Sequence, residues 1–407
     1  MSIIPPPVES PVDLVSASEQ LDPVATSRRK RWQYNPELYG KRDLRIDLLR
    51  GVAIVSMVVN HLECRSYFNN ITQGHIYASS AEGFVFLSGF VLGFVTLQRI
   101  DKIGLNSAMQ KLLERAKVLY FTSFILIAGL GLLSTVAPGM TRPSFVGGAS
   151  PLENRALGEW WQILLAAGTL HLSPPIVDIL QLYVLCLLVS PGIFWLLRRG
   201  LLLPLITTSW TLWWIQQVHP YSFSFQPLDR AHPYFVFSTW QILYVHGVAA
   251  GYHKQKLAKT WNRLPKVPLL LGMGAIVITA LITAHLDLQL GTWPTGVQDR
   301  ALWLRLTDRS INGPVRLITL LGLFSLMFMA VDFFWIPLSK TLGNLLIPLG
   351  QNSLYVYIIH VPLTLIWFMI PGLIQGSTWL VSLAQAIAIG LCWLMVKKEF
   401  LFKVIPR

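Results

Sequence analysis

Apolar runs of about 17–25 residues recur along this chain, each long enough to cross the roughly 30 Å hydrocarbon layer of a bilayer. That feature excludes most folds. In hydrocarbon, backbone amides and carbonyls must be satisfied internally, so only helices and closed barrels span. A barrel would show short segments of alternating polarity, and the sequence has none. The expected fold is therefore an all-α polytopic membrane protein with about ten transmembrane helices. They are predicted near 46–66, 80–98, 118–136, 176–197, 201–217, 237–253, 267–285, 314–333, 345–369 and 378–396. Only 13% of the 407 residues are charged, about half the share usual in soluble domains, roughly 25%.

The formal net charge of +13 raises the question of nucleic acid, and its distribution answers it. With the N-terminus inside, the cytoplasmic segments hold 24 Lys and Arg, the outer segments 6 and the spans themselves 3 (Arg50, Arg65 and Arg316). This is the positive-inside bias, with anionic headgroups as the remaining partner. Both termini are expected in the cytoplasm, membrane lipids are expected partners and nucleic acid is not. Residues 1–42 read as a disordered basic tail, 43–398 as the membrane domain and 399–407 as a short cytoplasmic tail. The N-terminal segment lacks the apolar core of a cleavable signal peptide. Cys64, Cys186 and Cys392 form no CxxC pair, so no metal site or disulfide framework is expected. "LGEWWQILLAAGTLHL" (157–172) is too short for a span and reads as re-entrant or interfacial, with Trp160 and Trp161 at the boundary. The outer segment 286–313 is polar enough for a lid. The loop 99–117 carries Arg99, Lys102, Lys111, Arg115 and Lys117, a set suited to phosphates.

The first span, "LLRGVAIVSMVVNHLE" (48–63), keeps Arg50, Asn60 and His61, although a charge at mid-bilayer costs about 2.5–3.5 kcal/mol on insertion scales. Eleven residues at 100° each come within about 20° of three full turns, so Arg50 and His61 share a face about 16 Å apart. Asp47 lies three residues before Arg50 and can pair with it. Glu82, at the outer start of the second, antiparallel span, is expected within about one turn of the depth of His61. A carboxylate there would fix the tautomer of His61 and raise its basicity, the logic of a general base. His360 in span nine is expected at similar depth. Ser88, just ahead of Gly89-Phe-Val-Leu-Gly93, reads as an interhelical hydrogen-bonder in a close-packing GxxxG. Trp240, Gln241 and Arg316 complete the outer polar set.

"RIDLLRGVAIVSMVVNH" followed by "AEGFVFLSGFVLGF" resembles the start of the OpgC family of membrane acyltransferases, relatives of the acyltransferase-3 and heparan-type acetyltransferase proteins. Weaker resemblances follow in order at 177–195, 237–251 and 349–360. The resemblance implies a multi-pass enzyme of the bacterial inner membrane that transfers an acyl group, succinyl or acetyl, from cytoplasmic acyl-CoA to a hydroxyl of a periplasmic glycan. The Arg50-to-His61 spacing is similar to the Arg-x10-His signature of the acyltransferase-3 proteins, whose histidine is taken as catalytic. On that reading His61, Glu82 and His360 are catalytic, and Arg45, Arg50, Arg115 and Lys117 hold succinyl-CoA or acetyl-CoA. Asn60, Trp240, Gln241 and Arg316 meet the glycan or other hydroxyl acceptor. A passage would join the two faces, and no metal is required. One departure is Ser123, near which relatives often place a histidine. The competing readings are a proton-coupled transporter or flippase of an anionic or glycan-lipid substrate, and a non-enzymatic scaffold. The sequence has no matching transporter halves, and its buried polar groups would serve no purpose in a scaffold.

Overall fold

The computed structural model describes residues 32–35, 42–62, 65–72, 76–136, 160–172, 174, 176–221, 235–289, 300–370 and 376–406. Most of the predicted tail, and Glu63 with Cys64, lie outside them. Among the described residues the chain is helical, without strands. Its helices are α1 (Leu44–His61), α2 (Tyr67–Thr72), α3 (Ser80–Ile103), α4 (Leu105–Val136), α5 (Trp160–Gly168), α6 (Asp178–Arg198), α7 (Leu202–Val218) and α8 (Phe237–Tyr252). There follow α9 (Lys254–Arg263), α10 (Lys266–Ala284), α11 (Arg300–Thr307), α12 (Pro314–Phe333), α13 (Trp335–Thr341), α14 (Gly343–Gln351), α15 (Ser353–Met369) and α16 (Thr378–Lys397).

Among the described residues six helices are long and apolar enough to cross a membrane: α3, α4, α6, α10, α12 and α16. The protein is thus a multi-pass membrane protein. The predicted spans 46–66, 201–217 and 237–253 correspond to α1, α7 and α8, of 18, 17 and 16 residues. α7 and α8 are short, and α1 holds three charged groups, Arg45, Asp47 and Arg50. The predicted span 345–369 is not one helix: α14 and α15 meet at a bend of 96°. The basic "loop" 99–117 is also mostly helix, interrupted at Gly104, whose φ of 80° is a conformation glycine adopts at no steric cost. Its Ala, Leu, Lys, Gln and Arg content favours helix wherever glycine is absent. α5 has nine residues, about 14 Å at 1.5 Å per residue, so it does not cross. Trp160 and Trp161 on it are exposed.

Glycines set the central packing. Gly89 and Gly93 of α3 face Gly247 and Gly251 of α8, and a Cβ on any of the four would run into a backbone carbonyl of the other helix. Bare backbones can therefore touch, which is how membrane helices associate when burial from water gives no drive. Gly51 of α1 and Gly350 of α14 repeat the device: a methyl on either would strike the carbonyl of Leu346 or Asp47. By contrast, α10 buries only Ala280 and Ala284, leaving an apolar exposed face that suits lipid.

Ion pairs gather helix ends that lie far apart in sequence. Arg45 joins Asp43 and Asp332 and lies over the Tyr34 and Phe328 rings. Lys254 approaches Asp43 to 3.6 Å, and Arg42 pairs with Asp47 at 2.6 Å. Within the predicted tail, Tyr34 is buried against Trp335, and its amide donates to the carbonyl of Asp332. Burial acts to raise the Asp43 carboxyl, but hydrogen bonding and charge from Arg45, with Lys254, hold it below the ordinary carboxylate value. The starts of α1 and α9 and the end of α12 therefore share one end of the bundle. The end of α1 and the starts of α3 and α12 share the other, as antiparallel neighbours must.

Candidate functional site

At that second end α1 closes with His61, half-buried, and α15 brings up His360, fully buried. His61 Nδ1 and His360 Nε2 are 2.7 Å apart. The rings stack with centroids 4.9 Å apart at 25°, and the edge of Tyr357 borders both. The bond network assigns the protons. His360 Nδ1 faces the carbonyl of Tyr357, which can only accept, so Nδ1 carries the hydrogen and Nε2 a lone pair. His61 Nδ1 must then donate to His360, which leaves His61 Nε2 as the unprotonated nitrogen when both rings are neutral. The pair is a relay with its lone pair at His61, the arrangement of a general base oriented by a second group. Tyr357 is itself tied by its hydroxyl to the carbonyl of Ile176 at 2.6 Å. Thr364 donates to the carbonyl of His360 at 2.8 Å.

Glu82 is not the partner of His61. It is completely buried and closes a capping box: one oxygen accepts from the Ser79 amide at 2.8 Å and from the Ser79 hydroxyl. The other oxygen takes Nε of Arg316 at 2.8 Å and also its Nη2. The carboxylate is thus committed to joining the first turns of α3 and α12. Depth alone suggested the dyad, but the nearer cation captured the acid. Ser79-x-x-Glu82 has the capping-box spacing, a signal available in the sequence. Arg316, expected to meet substrate, is consumed by the same pair.

Trp240 and Gln241 are buried as well. Trp240 Nε1 donates to the Ser310 carbonyl at 3.1 Å, and Gln241 exchanges hydrogen bonds with Ser209. Both brace neighbouring segments of the protein. Asn60 accepts from the Thr72 hydroxyl at 2.8 Å.

Toward the opposite end, Arg50 does not pair with Asp47, whose carboxylate is taken by Arg42. Its Nη2 donates to Ser353 Oγ at 2.6 Å, and its buried Nε has no hydrogen-bond partner. Arg115 lies close enough to act electrostatically on Arg50, and Arg99 on Arg115. Asp47 offsets part of the repulsion at Arg50, and an anion between the guanidiniums would relieve more of it. Arg115 and Lys117 are exposed on α4. Arg45, held by two aspartates, is a strut. Among the described residues no group of three His, Cys, Asp or Glu could hold a metal ion.

One family model, described as OpgC protein, matches residues 42–403, nearly the whole chain. No curated protein and no solved structure matches it.

Proposed function

The chain belongs to the OpgC protein family, and on that premise we propose that it is a membrane acyltransferase that moves an acyl group from acyl-CoA to a hydroxyl of a glucan. Membership supports the coarse activity. The single observation that carries the chemistry is the His61–His360 pair with its lone pair on His61 Nε2.

In the proposed reaction His61 Nε2 removes the proton from the acceptor hydroxyl. The oxygen then attacks the thioester carbonyl, forming a C–O bond. The developing oxyanion has to be met by a hydrogen-bond donor. Collapse breaks the C–S bond, and the leaving thiolate takes the proton back from His61. No covalent acyl-enzyme is needed. His360 acts by holding the tautomer of His61 and sharing the charge it acquires. The donor's phosphates would occupy the Arg50, Arg99 and Arg115 cluster, with Lys117 on the same helix. The acyl arm would thread along the shared face of α1 toward His61. On the ten-span reading, with α1, α7, α8 and the bent α14–α15 pair counted as spans, that cluster would face the cytoplasm and the histidines would lie near the periplasm.

The test uses purified protein in nanodiscs, acyl-CoA and a glucan, following free thiol and the mass of the glucan together. Thiol release with matching acyl-glucan is expected, and His61→Ala should abolish both. Proton-coupled uptake by vesicles without thiol release from any donor would replace this reading with transport.

A further inference from the structure

A cavity of about 570 Å3 lies within the bundle, walled by α1, α3, α10 and α12, with α2 at one end and Leu346 of α14 at the other. Its size falls among ligand sites, which run from roughly 300 to 1,000 Å3. On α1 it is bounded by Val52, Val55 and Ser56. Counted from Arg50 at 100° per residue, these lie at about 200°, 140° and 240°, while His61 lies at about 20°. The cavity is therefore behind α1, on the side turned away from Arg50 and His61. It is no part of the passage proposed for the acyl arm.

On α3 the wall is missing a side chain. Gly89 and Gly93 of that helix are filled by the backbone of α8, but a Cβ on Gly83 would find nothing within 4 Å. Its absent side chain is space in the cavity. The opposite wall opens sideways: Leu281 of α10 is 41% exposed and Ile71 of α2 78%, and both line the cavity. Leu281 belongs to the apolar face of α10 that suits lipid, so the cavity continues the lipid-facing surface inward. Its hydroxyls, on Ser56, Thr72, Ser79 and Ser80, lie toward the end that bears the histidine pair, and the far end, at Leu49 and Met327, is wholly apolar. Water needs two to four polar partners and does not fill such a space. From Leu49 to Ser56 α1 rises about 10 Å, two-thirds of one leaflet of a roughly 30 Å hydrocarbon layer.

We propose that this cavity binds one fatty chain of a phospholipid, drawn from the leaflet on the side of the histidine pair. The chain enters between α10 and α12, its headgroup stays at the rim of hydroxyls, and its methylenes fill the space beside Gly83. It supports α1 from behind, while the front of the same helix carries Arg50 and His61. The inference does not depend on acyl transfer, and its test requires no turnover.

The full-length protein is placed in phospholipid nanodiscs containing a trace of phosphatidylglycerol with a diazirine midway along one fatty chain. After irradiation, adducts are located by peptide mass spectrometry. Wild type should carry them on the cavity walls, Val52–Ser56 of α1 and Ser80–Leu87 of α3, and on the outer surface of α16 at Leu383 and Leu391, which are exposed. Gly83→Leu fills the cavity with a good helix former. It should lower the α1 and α3 adducts relative to those on α16 by about tenfold or more, since each methylene kept from burial is worth about fourfold. Ser56→Leu fills the same space from the other wall and should act alike, so the test does not hang on one variant folding. A second measurement uses delipidated protein in dodecyl maltoside: added phosphatidylglycerol should raise the Tm of wild type and leave that of either leucine variant unmoved. Wall adducts absent from wild type, or equal in wild type and both variants, would overturn the proposal. So would wall adducts that an excess of isoprenyl alcohol removes while those on α16 persist, which would assign the cavity to a prenyl chain.

Discussion

Consider separating Glu82 from Arg316. Glu82 is fully buried and Arg316 nearly so, and two nitrogens of the guanidinium grip one carboxylate oxygen. Arg316→Met leaves a carboxylate in the helix bundle with the Ser79 hydrogen bonds and only the more distant charge of Arg309. Glu82→Gln leaves the cation uncompensated and weakens the capping box. Breaking a buried pair from either side costs about 3–5 kcal/mol, because the orphaned charge keeps its desolvation penalty. That is a large part of a typical total stability of about 5–15 kcal/mol. Removing both charges together relieves the orphan, so Glu82→Gln/Arg316→Met should be more stable than either single variant, with a coupling of at least about 2 kcal/mol. Reversible unfolding in mixed dodecyl maltoside–SDS micelles, followed by circular dichroism, measures all four corners of the cycle. Additive losses, or Glu82→Gln within about 1 kcal/mol of wild type, would contradict a structural ion pair. If the double variant folded normally but lost turnover as fully as His61→Ala, Glu82 would have to be returned to the chemistry.

His61→Ala should lower kcat by at least about 10²–10⁴-fold, the usual contribution of a general base, with donor KM little changed. His360→Phe should give a smaller fall in kcat and a distorted pH–rate profile, because His61 loses the acceptor that fixes its tautomer; an unaltered profile would refute the relay. Arg50→Ala should raise the KM for acyl-CoA more than it lowers kcat, and a change confined to kcat would remove the phosphates from that cluster. Gly93→Leu or Gly247→Leu should destabilise by about 3 kcal/mol or more, since a side chain there displaces a whole helix; thermal unfolding reads this directly. The Asp43 carboxyl is held below its ordinary value of 3.8, so its share of stability is present above that value and lost as pH falls through the depressed one. The Tm gap between wild type and Asp43→Asn should accordingly hold at neutral pH and close in strong acid.

The repeated apolar runs, the thin charge and the placement of Lys and Arg decided the all-helical membrane architecture, because hydrophobic length and periodicity are local properties that any window of chain displays. The 3.6-residue period likewise put Arg50 and His61 on one face, and Gly89 with Gly93 on another. Partnership is not local. His61 meets His360 across 299 positions, and Glu82 meets Arg316 across 234. Depth counting put His61, Glu82 and His360 in one layer but could not tell which polar group would take which. Each buried donor and acceptor pairs with whatever the folded helices bring within about 3 Å, so a nearby arginine claimed the glutamate and a carbonyl fixed the second imidazole. The bend at Asn352 belongs to the same category, as does the turn at 308–313, whose carbonyls are held by Trp213, Gln217 and Trp240. They arise from contacts of α1 with α14 and α15, and of α7 and α8 with that turn, that no single stretch of sequence contains.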